Sequence, residues 1–272
     1  MSEHKTHPNT DNAPNDKAQR DSSTIDLDAN PIVELRGFRK SFGLKVVHRD
    51  INLKVRRGEC LGLLGGSGAG KSVILRSLIG LERPDAGQVL VEGEDITKLK
   101  DRDLVRIRKK IAYVFQGGAL FDSMSVYENL AYPLREHTKM SESEIWQAVT
   151  DQLDEFGLRG NENVFPANLS GGMQKRVGLA RSILLHPDVV LYDEPTAGLD
   201  PFNTVRIQEM ILKLKAKGVT SLFVTHDMPS AFAVCDRIAL LLDGVIYKVI
   251  DRSELESISD KRVRGFIKGD EP

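Results

Sequence analysis

The sequence predicts an α/β protein built on a largely parallel sheet, and three observations lead there. An apolar run, Cys60-Leu61-Gly62-Leu63-Leu64, feeds directly into Gly65-Gly66-Ser67-Gly68-Ala69-Gly70-Lys71-Ser72 and then a helical stretch, Val73 to Ile79. A second run, Val189-Val190-Leu191-Tyr192, ends in Asp193-Glu194-Pro195. Continuous apolar runs of this length mark strands covered on both faces. Around these runs strand-like and helix-like segments alternate, which is the pattern of β-α-β units.

Taken in order, residues 1–30 are rich in Asn, Asp, Ser, Lys and Pro and hold no aromatic residue, so a disordered tail is expected. From Pro31, Ile32–Leu35 and the alternating Ile51–Val55 read as strands, with Lys40-Ser41-Phe42-Gly43 between them. Arg56-Arg57-Gly58-Glu59 turns into the strand at Cys60, and Val89–Val91 before Gly93 is a further short strand. Thr97 to Lys110 is charged with Leu99, Leu104 and Ile107 on one side, a surface helix. Ile111 to Phe115 is a strand ending at Gln116.

Beyond it the character turns helical. Ser141-x-x-Glu144 is a capping box, and Ile145, Val149, Leu153 and Phe156 mark one buried face. Leu169-Ser170-Gly171-Gly172 opens another helix that carries Val177, Ala180, Ile183 and Leu184 inward. A helix over about 202–217, the strand Ser221–Thr225 before His226-Asp227, strands over about 237–242 and 245–250, and a short terminal helix complete the chain. The expected organisation is a tail over 1–30, a folded domain over 31–258 with a helical subdomain inserted at about 117–187, and a short C-terminal tail over 259–272.

Composition bounds the function. The 272 residues are 40% hydrophobic and 28% charged with a net charge of −1, ordinary for a globular protein and without the basic excess of a nucleic-acid partner. Cys60 and Cys235 each lie among apolar residues and read as small buried hydrophobes in a reducing compartment, not as a disulfide. No apolar secretory h-region opens the chain, and the stretch Ile238 to Ile250 is broken by Asp243 and Lys248 and too short to span a bilayer. The expected place is the cytosolic side, docked to a membrane if it acts on one.

The chemistry starts from the glycine-rich loop. Side chains there would block close approach of the backbone, whereas glycines let N–H groups curl around phosphate oxygens above a helix N-terminus. In the G-x-x-x-x-G-K-S pattern Lys71 reaches the β- and γ-phosphates and the Ser72 hydroxyl ligates Mg²⁺. Asp193, at the carboxyl end of the second buried strand, is placed to hold the Mg²⁺ shell, and Glu194, aimed differently, to polarise an attacking water. Gln116 and His226 also end predicted strands, so a parallel sheet gathers them on the same edge.

These motifs, in this order, resemble the ATP-binding subunit of ABC transporters over essentially all of residues 31–258. Gly65, Gly66, Ser67, Gly68, Ala69, Gly70, Lys71 and Ser72 match the Walker A loop, with Val73 after it where many relatives have Thr. Tyr192-Asp193-Glu194 matches the end of Walker B, Gln116 the Q-loop, Leu199-Asp200 the D-loop and His226 the switch histidine. Leu169-Ser170-Gly171-Gly172-Met173-Gln174 matches the signature that other P-loop ATPases lack. The resemblance implies a P-loop NTPase fold with a RecA-like core, an antiparallel β subdomain and an inserted helical subdomain. It implies ATP and Mg²⁺ as cofactors, with Ser72, Gln116 and Asp193 at the metal and Glu194, Gln116 and His226 catalytic. It further implies a head-to-tail homodimer in which Ser170, Gly171, Gly172 and Asp200 of one chain face the ATP on the Walker A loop of the other. Phe42 falls where the family places an aromatic residue against adenine.

A narrower likeness lies in Gly65-Gly66-Ser67 and in Phe115-Gln116-Gly117-Gly118-Ala119-Leu120-Phe121-Asp122-Ser123-Met124, which are similar to the Mla/Mkl branch, including its toluene-tolerance type. That implies phospholipid movement between inner and outer membranes from the cytoplasmic face of the inner membrane. The implied partners are a permease dimer meeting the Gly117–Met124 stretch, an MCE-domain protein and often a STAS-domain subunit. Two alternatives stay open at this point: a transporter ATPase for another solute, and a soluble ABC ATPase without a permease.

Overall fold

A computed structural model describes residues 30–255 and 257–268. The polar segment expected as a tail lies, except for Asn30, outside the described residues, as do residues 269–272. Among the described residues ten strands form one sheet: β1 (Val33–Phe42), β2 (Lys45–Val55), β3 (Cys60–Leu64), β4 (Ala86–Val91), β5 (Glu94–Asp95), β6 (Ile111–Val114), β7 (Val189–Asp193), β8 (Thr220–Thr225), β9 (Arg237–Leu242) and β10 (Val245–Asp251). Their spatial order is β5-β4-β1-β2-β10-β9-β3-β8-β7-β6. The five from β9 to β6 are mutually parallel, and β1, β2, β4 and β5 form an antiparallel wing. β10 joins the halves, antiparallel to β9 and meeting β2 through the single pair Val245–Asp50.

Period-two alternation divides the core. Leu61, Leu63, Leu191, Leu222 and Val224 pack on one face beneath α1 (Lys71–Leu78) and α2 (Asp101–Lys110). Cys60, Leu64, Val190, Tyr192 and Phe223 pack on the other face, in a core continuous with α3 (Val126–His137), α4 (Glu142–Glu155) and α5 (Gly171–Ile183). Helices α6 (Pro201–Ala216) and α7 (Met228–Val234) bury Ile211 and Val234 in this second core. Cys60 and Cys235 meet there as free thiols with their Sγ atoms 3.8 Å apart. The Cys60 thiol is pushed well up in pKa by the Cys235 hydrogen bond and by burial, which disfavours its reactive thiolate form.

The structure differs from the sequence reading where local bonds override pattern. β1 and β2 run as one hairpin through Phe42 and Lys45, around Gly43 in the left-handed region. α2 starts at Asp101, because the Thr97 N–H and hydroxyl both donate to Asp95 Oδ1 at 3.0 and 2.6 Å and hold that segment in a turn. α3 forms despite Pro133 in its interior, secured by a Ser125–Glu128 capping box and buried Leu130 and Leu134. The expected short terminal helix is α8 (Lys261–Lys268), within the segment also assigned to the tail; its start is held by Asp260 accepting from the Arg262 and Val263 N–H groups, with Val263 fully buried.

A buried ion pair ties the two halves of the sheet. Arg237 donates twice to Glu59, at 2.9 and 2.8 Å, and to the Lys54 carbonyl at 3.1 Å, while Glu59 Oε1 also accepts from the Arg56 N–H at 2.6 Å. Both side chains are about nine-tenths buried.

Candidate functional site

Where β3, β7 and β8 end, their following loops enclose a cleft of about 470 Å³ lined by Val47, Ser67 to Val73, Gln116, Asp193, Glu194, Val224 and His226. Such a crevice at the carboxyl edge of parallel strands is where open α/β sheets take ligands. The loop after β3 turns into α1 at Gly70, which sits at φ +90° as the N-terminal cap. A Cβ at that position would lie 2.4 Å from Val47 Cγ1 and 2.7 Å from the His48 ring, so only glycine fits. Lys71 curls back and donates to the Gly65 and Gly66 carbonyls at 2.8 and 3.1 Å, which sets its ammonium over the loop. Burial lowers its pKa, and the nearby Glu194 and Asp193 carboxylates oppose that shift.

His48 supports this loop from below. It is fully buried, and its Nε2 lies 3.1 Å from the Gly70 carbonyl. A carbonyl only accepts, so Nε2 carries the proton and Nδ1 is bare; Nδ1 has no partner among the described residues. Burial lowers the imidazole pKa below its ordinary 6.5. A histidine depressed in the folded state contributes stability that is full above the unfolded pKa and lost as pH falls from about 6.5 through the folded value. The chain is therefore expected to lose urea resistance between pH 7.5 and 5.5 more steeply than its His48→Leu variant. Equal slopes for the two would count against this account.

The two carboxylates after β7 point apart. Asp193 is buried; the Ser72 hydroxyl donates to its Oδ1 at 2.8 Å and the Tyr113 hydroxyl to its Oδ2 at 2.7 Å. Glu194 takes the left-handed region at φ +52°, with its N–H donating to the Val224 carbonyl at 2.9 Å. Non-glycine residues reach that region only against a steric cost, and such strain concentrates at functional sites. The turn directs the Glu194 carboxylate at His226 Nδ1, 3.0 Å away, and the Thr225 hydroxyl donates to Oε2 at 3.3 Å. Gln116 completes the wall from the end of β6.

The segment after Gln116 is braced from two helices. Arg181 of α5 donates to the Gly118 and Ala119 carbonyls at 3.2 and 2.8 Å and to Asn129 Oδ1 at 3.2 Å. Asn129 of α3, fully buried, exchanges hydrogen bonds with the Phe121 backbone. Phe121 and Tyr132 remain exposed above this brace, in edge contact at 5.4 Å.

Not every predicted residue lines the cleft. Gly65 and Gly66 take part through their carbonyls, and Phe42 lies at the exposed end of β1 beneath the Lys40 ammonium. Ser170, Gly171 and Asp200 are exposed on a separate surface, with Gly172 buried beside them. Ser170 caps α5, and Asp200 caps α6 by accepting from the Asn203 N–H at 3.0 Å. A Cβ on Gly172 would lie 2.5 Å from Asn203 Cγ, and Lys175 donates to the Ala197 carbonyl, so the two helix starts are locked together. Val47, His48, Tyr113, Val224 and Thr225 are site or supporting residues that no motif announces. Only the fold brings them here.

Comparison with known proteins agrees with this geometry. A family described as ABC transporter matches residues 48–197. The chain is 43% identical over 238 residues to a Mycobacterium leprae protein named probable ribonucleotide transport ATP-binding protein mkl, spanning 87% of this chain and 69% of that one. It is 38% identical over 239 residues to the Escherichia coli intermembrane phospholipid transport system ATP-binding protein MlaF, spanning 88% and 89%. Among solved structures, the ATP-binding cassette MJ0796, a dimer in a post-hydrolysis state with ADP and Pi, aligns with a TM-score of 0.75 and 31% identity over 81% of this chain and 98% of that one. With the phosphate loop, the paired acids and the separate Ser170–Gly172 surface all in place, the chain belongs to the ABC transporter family as an ATP-binding, ATP-hydrolysing cassette.

Proposed function

We propose that this cassette powers the transport of phospholipid between two membranes, from the cytoplasmic face of the inner membrane and as a homodimer docked on a permease. The observation that carries the substrate is the likeness to MlaF proteins over nearly the full length of both chains, which extends to Haemophilus influenzae at 36% identity and 91% of that relative. No described helix is long and apolar enough to cross a membrane, so contact with a permease falls to a surface. We assign that surface to Gly117–Met124, where Phe121 and Tyr132 stay exposed on the Arg181 and Asn129 brace. An MCE-domain protein and a STAS-domain subunit complete the proposed assembly.

The site residues then take these roles. The Ser67–Ser72 loop holds the ATP phosphates, and Phe42 covers the adenine. Ser72 and Asp193, with Gln116 beside them, offer hard oxygen donors that fit Mg²⁺. When bound, that ion offsets phosphate charge. Glu194 takes a proton from the attacking water, and His226, donating from Nδ1, holds the carboxylate in place. Ser170, Gly171, Gly172 and Asp200 face the ATP of the second chain, which accounts for their distance from the cleft of their own chain.

The higher identity to the mkl protein supports a second reading, transport of another solute such as a ribonucleotide. A pull-down of the Glu194→Gln chain from native membranes separates the two. Recovery of a multi-span permease, an MCE-domain protein and phospholipid is the expected result. A periplasmic solute-binding protein instead would favour the second reading, and recovery from the soluble fraction alone would exclude transport.

A further inference from the structure

We propose that Tyr113 is a positioning residue for Asp193, and through it for the divalent cation held beside ATP; this rests on the cation site proposed above. The geometry starts from the pairing of β6 with β7, which sets Tyr113 opposite Leu191. Asp193 lies two residues further along the strand and on the same face, roughly 6.6 Å on at the usual rise. A side chain must be long and end in a donor to cross that gap diagonally. The Tyr113 phenol does so, with its hydroxyl 2.7 Å from Oδ2. The ring is itself fixed by stacking on Phe115, with centroids 4.2 Å apart and planes at 30°.

The consequence lies in the freedom of a carboxylate. An aspartate χ2 torsion is broad, so a group held at one oxygen swings about the other. Here Ser72 donates to Oδ1 from α1 and Tyr113 to Oδ2 from β6, so two rigid elements define the carboxylate plane. Hydrogen bonds to an ionised acceptor are the strong kind. Ser72 is itself a cation ligand in the proposed site, which leaves Tyr113, whose hydroxyl also has the Arg76 side chain beside it, as the donor that orients the carboxylate without binding the cation. Removing it lets the carboxylate rotate away from the direction in which Ser72 faces.

Tyr113→Phe keeps the ring and its stacking and deletes only the hydroxyl. In the full chain carrying Glu194→Gln, so that ATP persists, Mn²⁺ is titrated into the ATP complex and free Mn²⁺ is read by electron paramagnetic resonance. Tyr113→Phe is expected to weaken Mn²⁺ by about 3- to 10-fold, a part of what one hydrogen bond to a charged group is worth, because the carboxylate loses its orientation and not its charge. ATP affinity in excess EDTA should stay unchanged. A second variant, Tyr113→Met, should give the same rise and covers the case in which the first does not fold. Unchanged Mn²⁺ affinity overturns the proposal, as does a parallel loss of metal-free ATP affinity, which would make Tyr113 merely structural. If the Glu194→Gln parent binds no Mn²⁺ with ATP, the cation site itself is wrong, and that failure is distinct from the first two.

Discussion

Glu194→Gln is expected to lower steady-state ATP hydrolysis by about a thousandfold while ATP binding stays within about twofold of the parent. Asp193 is not free to substitute as base, because the Ser72 and Tyr113 hydroxyls already occupy both its oxygens. Glu194 differs: its partners, His226 and Thr225, orient the carboxylate on the cleft wall and leave it directed at the space beside the phosphate loop. Glutamine keeps the shape and an acceptor oxygen for His226 but has no basic group for a water proton. The loss should therefore fall on turnover and spare affinity, and nucleotide-bound dimer should accumulate. Phosphate release measured against binding of a fluorescent ATP analogue checks this. Turnover preserved in the variant would remove Glu194 from the role of base.

The largest effect on stability is expected at Glu59, far from the phosphates. Glu59→Ala removes from the buried Arg237 guanidinium the carboxylate it donates to twice, and from the Arg56 N–H its acceptor at the turn before β3. Breaking a buried pair from one side costs about 3–5 kcal/mol, because the remaining charge keeps its desolvation cost and loses the ion pair that offset it. For a chain of this size that is a drop of roughly 10 °C in melting temperature. Replacing both partners, as Glu59→Met with Arg237→Met, removes charge and countercharge together and should recover most of the loss. Urea midpoints of the parent, single and double variants form the test. A double variant no better than Glu59→Ala would show that the hydrogen bonds to backbone outweigh the ion pair.

The sequence was most legible where chemistry and burial coincide. Val189–Tyr192 is apolar because both faces are covered, so strand, edge and the two acids after it are read from one short stretch. The Ser141–Glu144 box and the face Ile145, Val149, Leu153 stand in the structure as read. Elsewhere local signals were silent. Pro133 interrupts the helical pattern of α3, yet buried Leu130 and Leu134 hold the helix together. Tyr113 reads as one more strand aromatic, since its partner is 80 positions away and becomes a neighbour only through the β6–β7 register. His48 was invisible for the same reason: its contact with Gly70 joins the antiparallel wing to the phosphate loop, and no periodicity encodes that meeting.

The left-handed backbone at Glu194 sets thermal endurance against turnover. A side chain in that region carries a penalty of about 1–2 kcal/mol that glycine escapes. Glu194→Gly would thus relax the turn, keep the phosphate loop and Asp193 intact, and discard the carboxylate. A lineage kept only for heat resistance would drift toward that replacement and become a sturdy cassette that grips nucleotide and no longer spends it. The glutamate at φ +52° thus holds its carboxylate at the cleft at a cost in stability that glycine would not carry.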